Sequence, residues 1–123
     1  KGQIAFPGGR WESSDNSLLA TAIRETGEEL GEKISPVEIL GSLPTVTTSS
    51  TGYIIYPFVG ILEEPLDLEP DSWEVEEVLT LPLKVFSTPS ATDPVEFDTG
   101  NINVWGATAR ITHQFITYLK AGE

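Results

Sequence analysis

The sequence predicts one mixed α/β domain spanning residues 1–123, and three observations carry that prediction. A chain of 123 residues suits a single domain. Hydrophobic residues make up 39% of it, enough to pack a core. Segments of strand character and of helical periodicity follow in the order strand, helix, several strands, helix, so helices are expected to cover a sheet.

Taken in order, Gln3 to Phe6 ("QIAF") has strand character and is broken by Pro7-Gly8-Gly9. Glu12 to Ser17 ("ESSDNS") is turn and cap chemistry, with Ser14, Asp15 and Ser17 as N-cap candidates. A helix is expected from about Asn16 to Leu30, since Leu18, Leu19, Ala22, Ile23, Thr26 and Leu30 recur at helical spacing. Gly31 suits its C-terminal end. Val37 to Leu43 is a strand candidate, and Pro44 to Gly52 a polar loop or partly extended connection. Tyr53 to Leu62 ("YIIYPFVGIL") reads as a buried strand with Pro57 at a bulge or edge. An acidic, proline-marked loop (Leu62 to Ser72) and a strand (Val75 to Leu83) follow. Lys84 to Pro94 opens as a helical turn and becomes loop. Val95 to Trp105 reads as a hairpin around Asp98-Thr99-Gly100-Asn101. A last helix is expected over Ala107 to Lys120, burying Ile111, Phe115, Ile116 and Leu119.

Composition narrows the function classes. The absence of cysteine removes disulfides, thiolate catalysis and Cys-based zinc sites from this chain, and fits a reducing compartment such as the cytoplasm. No run of about 18 apolar residues is present, so no membrane span is expected. The net charge of −12 opposes a nucleic-acid partner. It opposes a phosphorylated small molecule equally, unless a divalent cation intervenes.

The stretch "AIRETGEELG" (Ala22 to Gly31) raises the sharpest functional question. With about 100° per helical residue, Glu29 lies about 40° from Glu25 and Glu28 about 60° on the other side. Three carboxylates thus share a narrow face that borders the apolar arc. Neighbouring like charges cost a few tenths of a kcal/mol per pair. Arg24 can pair with Glu28 at i,i+4, and a hard divalent cation with oxygen ligands would relieve the repulsion further. A solvated acidic face is the competing reading. Gly27, on the side away from the apolar arc, is not explained by packing.

Upstream, "FPGG" (Phe6 to Gly9) precedes Arg24 with fourteen residues between Gly9 and Arg24. A glycine turn there can bring backbone carbonyls close to the carboxylates. This combination resembles the Nudix hydrolase family, whose signature is G-x5-E-x7-R-E-U-x-E-E-x-G-U with U a bulky apolar residue. Arg24, Glu25, Glu28, Glu29 and Gly31 match its core. Thr26 and Glu32 stand at two of the U positions, with Ile34 a candidate to take the packing role of the second. Asn16 stands where the upstream glutamate belongs, with Asp15 beside it, and the glycine spacing is one residue too long. That extra residue, with Gly2, Phe6, Pro7, Gly8, Gly9, Arg10 and Asp15, resembles the coenzyme A pyrophosphatase branch. "TAIRET" and "VWGATAR" resemble it as well. That branch carries a Thr/Arg-rich segment and the first strands ahead of this point, so the chain is expected to be an interior piece of a longer product.

The resemblance implies a Nudix-type α/β/α sandwich with a mixed sheet between helices. It implies a nucleotide substrate whose diphosphate is hydrolysed with Mg²⁺ or Mn²⁺: coenzyme A first, ADP-ribose, nucleotide sugars or dinucleotides as alternatives. A catalytically inactive Nudix-fold binding module is the reading of another class. By carry-over, Glu25, Glu28 and Glu29 are metal ligands, with Glu29 foremost and the Gly8 carbonyl as a further ligand. Arg24 orients the carboxylates; Gly9 and Arg10 contact substrate. Asp15, Glu74 and Glu77 are candidates for an additional acid or base, against a helix cap for Asp15 and a solvated strand edge for the other two. His113, the single histidine, reads as structural or exposed. Trp11, Tyr53, Tyr56 and Trp105 are candidates to stack an adenine, with core packing as the default. The loop "TVTTSSTG" is either a cleft wall or plain surface. A homodimer is the candidate assembly, since absent first strands would leave a sheet edge to cover.

Overall fold

The computed structural model describes residues 4–31, 38–62 and 78–122. The expected contributions of Gly2, Glu32, Ile34, Glu74 and Glu77, and the acidic loop after Leu62, fall outside those residues. Two compact units are built from the chain, one from residues 6–41 and 58–80, the other from residues 1–5, 42–57 and 81–123.

The first unit holds the long acidic helix, α1 (Leu18–Leu30). Its start is set by Ser17, whose hydroxyl accepts the Ala20 N–H at 3.0 Å. That cap puts the helix start at Leu18 rather than Asn16, because the capping residue itself is extended. Its end is set by Gly31, at φ 109°, a conformation L side chains rarely adopt, with its N–H donating to the Gly27 carbonyl at 2.9 Å. Strand β1 (Glu38–Ser42) is paired with β4 (Phe58–Ile61).

The apolar arc of α1 is less covered than its periodicity predicts. Leu18 and Ile23 are exposed, and Thr21 is the helix's buried residue. Leu19, Ala22, Thr26, Leu30 and Phe58 line an open cleft of about 240 Å³ instead. Gly27 fits the sequence reading: a Cβ there would meet nothing within 4 Å. Gly27→Ala should therefore stabilise the fold by about 1 kcal/mol through helix propensity, read as a higher denaturation midpoint in urea. An unchanged or lower midpoint would show that Gly27 serves something other than the helix.

The second unit carries the packed core. Strand β2 (Val46–Thr47) pairs antiparallel with β3 (Ile54–Ile55), Val46 opposite Ile55. A 3-10 turn (Leu83–Phe86) leads to β5 (Ala91–Thr92), β6 (Val95–Asp98) and β7 (Asn103–Val104), an antiparallel sheet of three. The β6–β7 hairpin turns where its residues predict. Asp98 Oδ1 accepts the Gly100 N–H at 2.9 Å, Gly100 takes φ 104°, and Thr99 bonds the Ile102 carbonyl. Helix α2 (Gly106–Ala121) packs on β6. Phe86, Phe97, Val104, Ala109 and Ile116 form the core, with the Phe86 and Phe97 rings edge to face at 5.3 Å.

Several expectations are corrected. Ile4 to Phe6 is not strand; the Ile4 carbonyl instead accepts the Thr108 hydroxyl at 3.0 Å. Tyr53 to Leu62 is not one buried strand. It breaks at Tyr56-Pro57 into β3 and β4, because proline lacks the N–H a continuous ladder needs. Pro57 is buried and its carbonyl accepts the Leu43 N–H at 3.0 Å. Val78 to Pro82 is not strand. Leu119 is 44% exposed, and Phe115 is only partly buried. The helices and strands make an α/β fold, but the expected single mixed sheet is three small sheets among the described residues, antiparallel wherever the register is defined. Among those residues no helix is long and apolar enough to cross a membrane.

Candidate active site

The Pro7-Gly8-Gly9 turn and α1 meet in the first unit, and Arg24 is the hub between them. Its Nε donates to Asp15 Oδ1 at 2.9 Å and its Nη2 to Asp15 Oδ2 at 3.0 Å, a two-pronged ion pair. Nη1 lies 3.2 Å from Glu25 Oε2 and 3.2 Å from Glu28 Oε2, the latter the i,i+4 pair that spacing predicts. Glu12 stands farther off, at 3.8 Å. Nη2 also donates to the Arg10 carbonyl at 3.1 Å. One guanidinium thus ties the loop after the turn and two helix carboxylates into one frame.

Asp15 is the anchor of that frame. Its side chain is only 5% exposed, yet every partner it needs is present. Besides Arg24, it accepts the Glu12 N–H at 2.9 Å and the Thr21 hydroxyl at 2.9 Å. The Arg24 guanidinium above all, and then the Glu12 N–H, hold its carboxyl well below the usual carboxylate range despite burial. Arg24 is in turn held charged more firmly by Asp15. Asp15 is therefore neither the helix cap, which is Ser17, nor a carboxylate standing open beside the glutamates.

The glycine turn reaches the helix at two points. The Gly8 N–H donates to Glu29 Oε1 at 2.9 Å. Gly9 lies directly against Glu25: a Cβ at Gly9 would overlap that carboxylate and stand 2.7 Å from Oε1. Only glycine permits this approach. Glu25 is 15% and Glu28 51% exposed, so the face is partly sheltered and partly open.

The three glutamates divide their attention in this arrangement. Glu25 and Glu28 share Arg24 Nη1 as donor, while Glu29 accepts from the Gly8 N–H. Among the described residues no three acidic or histidine side chains converge as a ready cluster. The donor set nevertheless suits a hard divalent cation: it is all oxygen, and the bare Gly9 backbone lets the Glu25 carboxylate occupy the space a side chain would take, directly against the turn.

Thr21 is the participant that the sequence reading missed. Its signal was a hydroxyl one turn before Glu25, about 40° from it on the acidic face; at 4% exposure it needs a buried partner, and Asp15 is that partner. The aromatic candidates also depart from expectation. Trp11, Tyr53, Tyr56 and Trp105 are 54%, 52%, 49% and 49% exposed, so core packing describes none of them. His113 is exposed, its ring 6.5 Å from that of Phe97. The Thr48 to Gly52 stretch is the turn between β2 and β3, closed by the Thr48 and Thr51 hydroxyls 2.6 Å apart.

Comparison with known proteins agrees with this frame. Residues 1–98 match the NUDIX domain. The chain is similar to the uncharacterized Nudix hydrolase NudL of Photorhabdus laumondii, 34% identical over 125 residues that cover 92% of this chain and 66% of that protein. It is likewise similar to NudL of Enterobacter sp., 36% identical over 92% of the chain and 65% of the relative. The Escherichia fergusonii protein is 44% identical over 67% of the chain and 42% of its own length. The chain therefore spans less than two thirds of these curated relatives. A domain match over four fifths of its length, on residues that include the glycine turn and the whole of α1, makes the chain a member of the Nudix family.

Proposed function

We propose that this domain is the catalytic part of a divalent-cation-dependent pyrophosphohydrolase acting on coenzyme A or a related nucleoside diphosphate derivative. From coenzyme A the products are 3',5'-ADP and 4'-phosphopantetheine. The observation that carries the reading is the direct approach of Gly9 to the Glu25 carboxylate, in a frame that Arg24 holds. Nudix hydrolases generally need divalent metal ions, and relatives at 34% to 44% identity bear the name hydrolase.

Each residue then has a task. Glu25, Glu28 and Glu29 hold the cations, with the Gly8 carbonyl as a further oxygen. Arg24 sets the approach of Glu25 and Glu28 through its ion pairs and does not touch the substrate. Gly9 and Arg10 face the substrate's phosphates. Mg²⁺ or Mn²⁺ held there would supply charge screening and a lowered pKa for bound water. That screening is what lets a protein of net charge −12 accept an anionic substrate. Hydrolysis adds water across one P–O–P bridge, leaving two phosphate ends. The branch-like "FPGGR" spacing favours coenzyme A over other diphosphates.

The test is product analysis with coenzyme A, ADP-ribose and dinucleotides, with Mg²⁺ and with EDTA. The expected result is cleavage of coenzyme A that EDTA abolishes. Preference for ADP-ribose or a dinucleotide would overturn the substrate, and cleavage that survives EDTA would overturn the cation. No cleavage of any of them, with binding retained, would leave a binding module.

A further inference from the structure

We propose that Trp11 is a preset stacking platform for the base of a nucleotide ligand, an assignment that rests on the diphosphate-hydrolase reading above. The ring is 54% exposed, too open for a core residue. It is nonetheless tethered: its Nε1–H donates to the Asp15 carbonyl at 3.0 Å. Asp15 is gripped by both prongs of Arg24, and the neighbouring Arg10 carbonyl accepts from the same guanidinium. The indole is therefore hydrogen-bonded, before any ligand arrives, to the backbone of the residue whose side chain anchors Arg24, which in turn pairs with Glu25 and Glu28.

The occupant follows from chemistry. The polar edge of the indole is already satisfied, so an apolar π-face is what remains to offer. A ligand of the catalytic face carries a diphosphate, which the acidic protein holds only through cations. Its nucleobase is uncharged, so contact with the base escapes the repulsion of the −12 surface. Any base has a π-face, and stacking on tryptophan is tolerant of which base it is. Trp11 thereby contributes nucleotide affinity separate from the diphosphate site.

Calorimetric titration with Mg²⁺ tests this, using ADP and inorganic pyrophosphate as probes that differ by the nucleoside. Trp11→Ala should weaken ADP binding about tenfold and leave pyrophosphate binding unchanged, while Trp11→Phe keeps ADP within about threefold of wild type. Equal ADP affinity in wild type and Trp11→Ala overturns the proposal. So does a parallel loss for pyrophosphate, which would mean a damaged loop. A Trp11→Phe loss as large as that of Trp11→Ala would assign the effect to the hydrogen bond, not the ring, and wild type binding ADP no better than pyrophosphate would remove the platform. Turnover is read separately: wild type that binds ADP through Trp11 but cleaves no diphosphate sinks the hydrolase reading and leaves the platform standing.

Discussion

Glu25→Gln is expected to lower Mg²⁺-dependent diphosphate hydrolysis by at least about 100-fold, with little change in thermal midpoint. The substitution is isosteric and keeps a hydrogen-bond acceptor for Arg24 Nη1, now 3.2 Å from the carboxylate. What it removes is a negative charge at the point where the glycine turn touches the helix. Gly9→Ala should reproduce the loss with every carboxylate intact, because the new methyl group would overlap the Glu25 carboxylate and force it aside. Gly8→Ala separates the contact from the backbone's own role, since it keeps the Gly8 carbonyl and N–H and its Cβ meets nothing within 4 Å. Steady-state rates of the three variants decide the matter. Gly9→Ala at the wild-type rate would mean that the close approach is incidental, and Glu25→Gln at the wild-type rate would remove Glu25 from the site.

The contrast between those two glycines was not visible in the sequence, where they are adjacent and alike. What the chain does disclose is local chemistry. Ser17 and Gly31 mark the ends of α1 because a hydroxyl and a bare backbone solve the end problem of any helix. The Asp98-Thr99-Gly100 turn and the Arg24–Glu28 pair follow equally from short spacings. Errors arose where a residue's fate depends on partners far along the chain. Tyr53 to Leu62 has the apolar content of one strand, yet Pro57 is buried with its carbonyl on Leu43, and the ladder divides there. Leu119 keeps the helical period but is exposed. Trp11 looks like core by size alone, yet it is exposed, with its Nε1–H donating to the Asp15 carbonyl.

We propose that Asp15 positions Arg24 rather than holding a cation, and Asp15→Asn is then expected to cost about 10- to 100-fold in turnover. Asp15 sits one residue before the position at which the family pattern has its upstream glutamate. Its carboxylate is paired with Arg24 through both oxygens. An asparagine keeps the shape but offers one oxygen where Arg24 presents two donors, so the guanidinium loosens and Glu25 and Glu28 lose their common restraint. The variant also has a signature in acid. In the folded protein the Asp15 carboxyl is held below its ordinary pKa, near 3.9. Stability from that group is fully present above about pH 4, and is lost as pH falls from there through the depressed folded value. Wild type should thus lose thermal stability more steeply below pH 4 than Asp15→Asn, which starts lower at neutral pH and has less to lose. Melting curves from pH 7 to about pH 2.5 read this difference directly. Parallel curves would show that the Asp15–Arg24 pair is not a source of stability, and full activity in Asp15→Asn would show that Arg24 holds the carboxylates without its anchor.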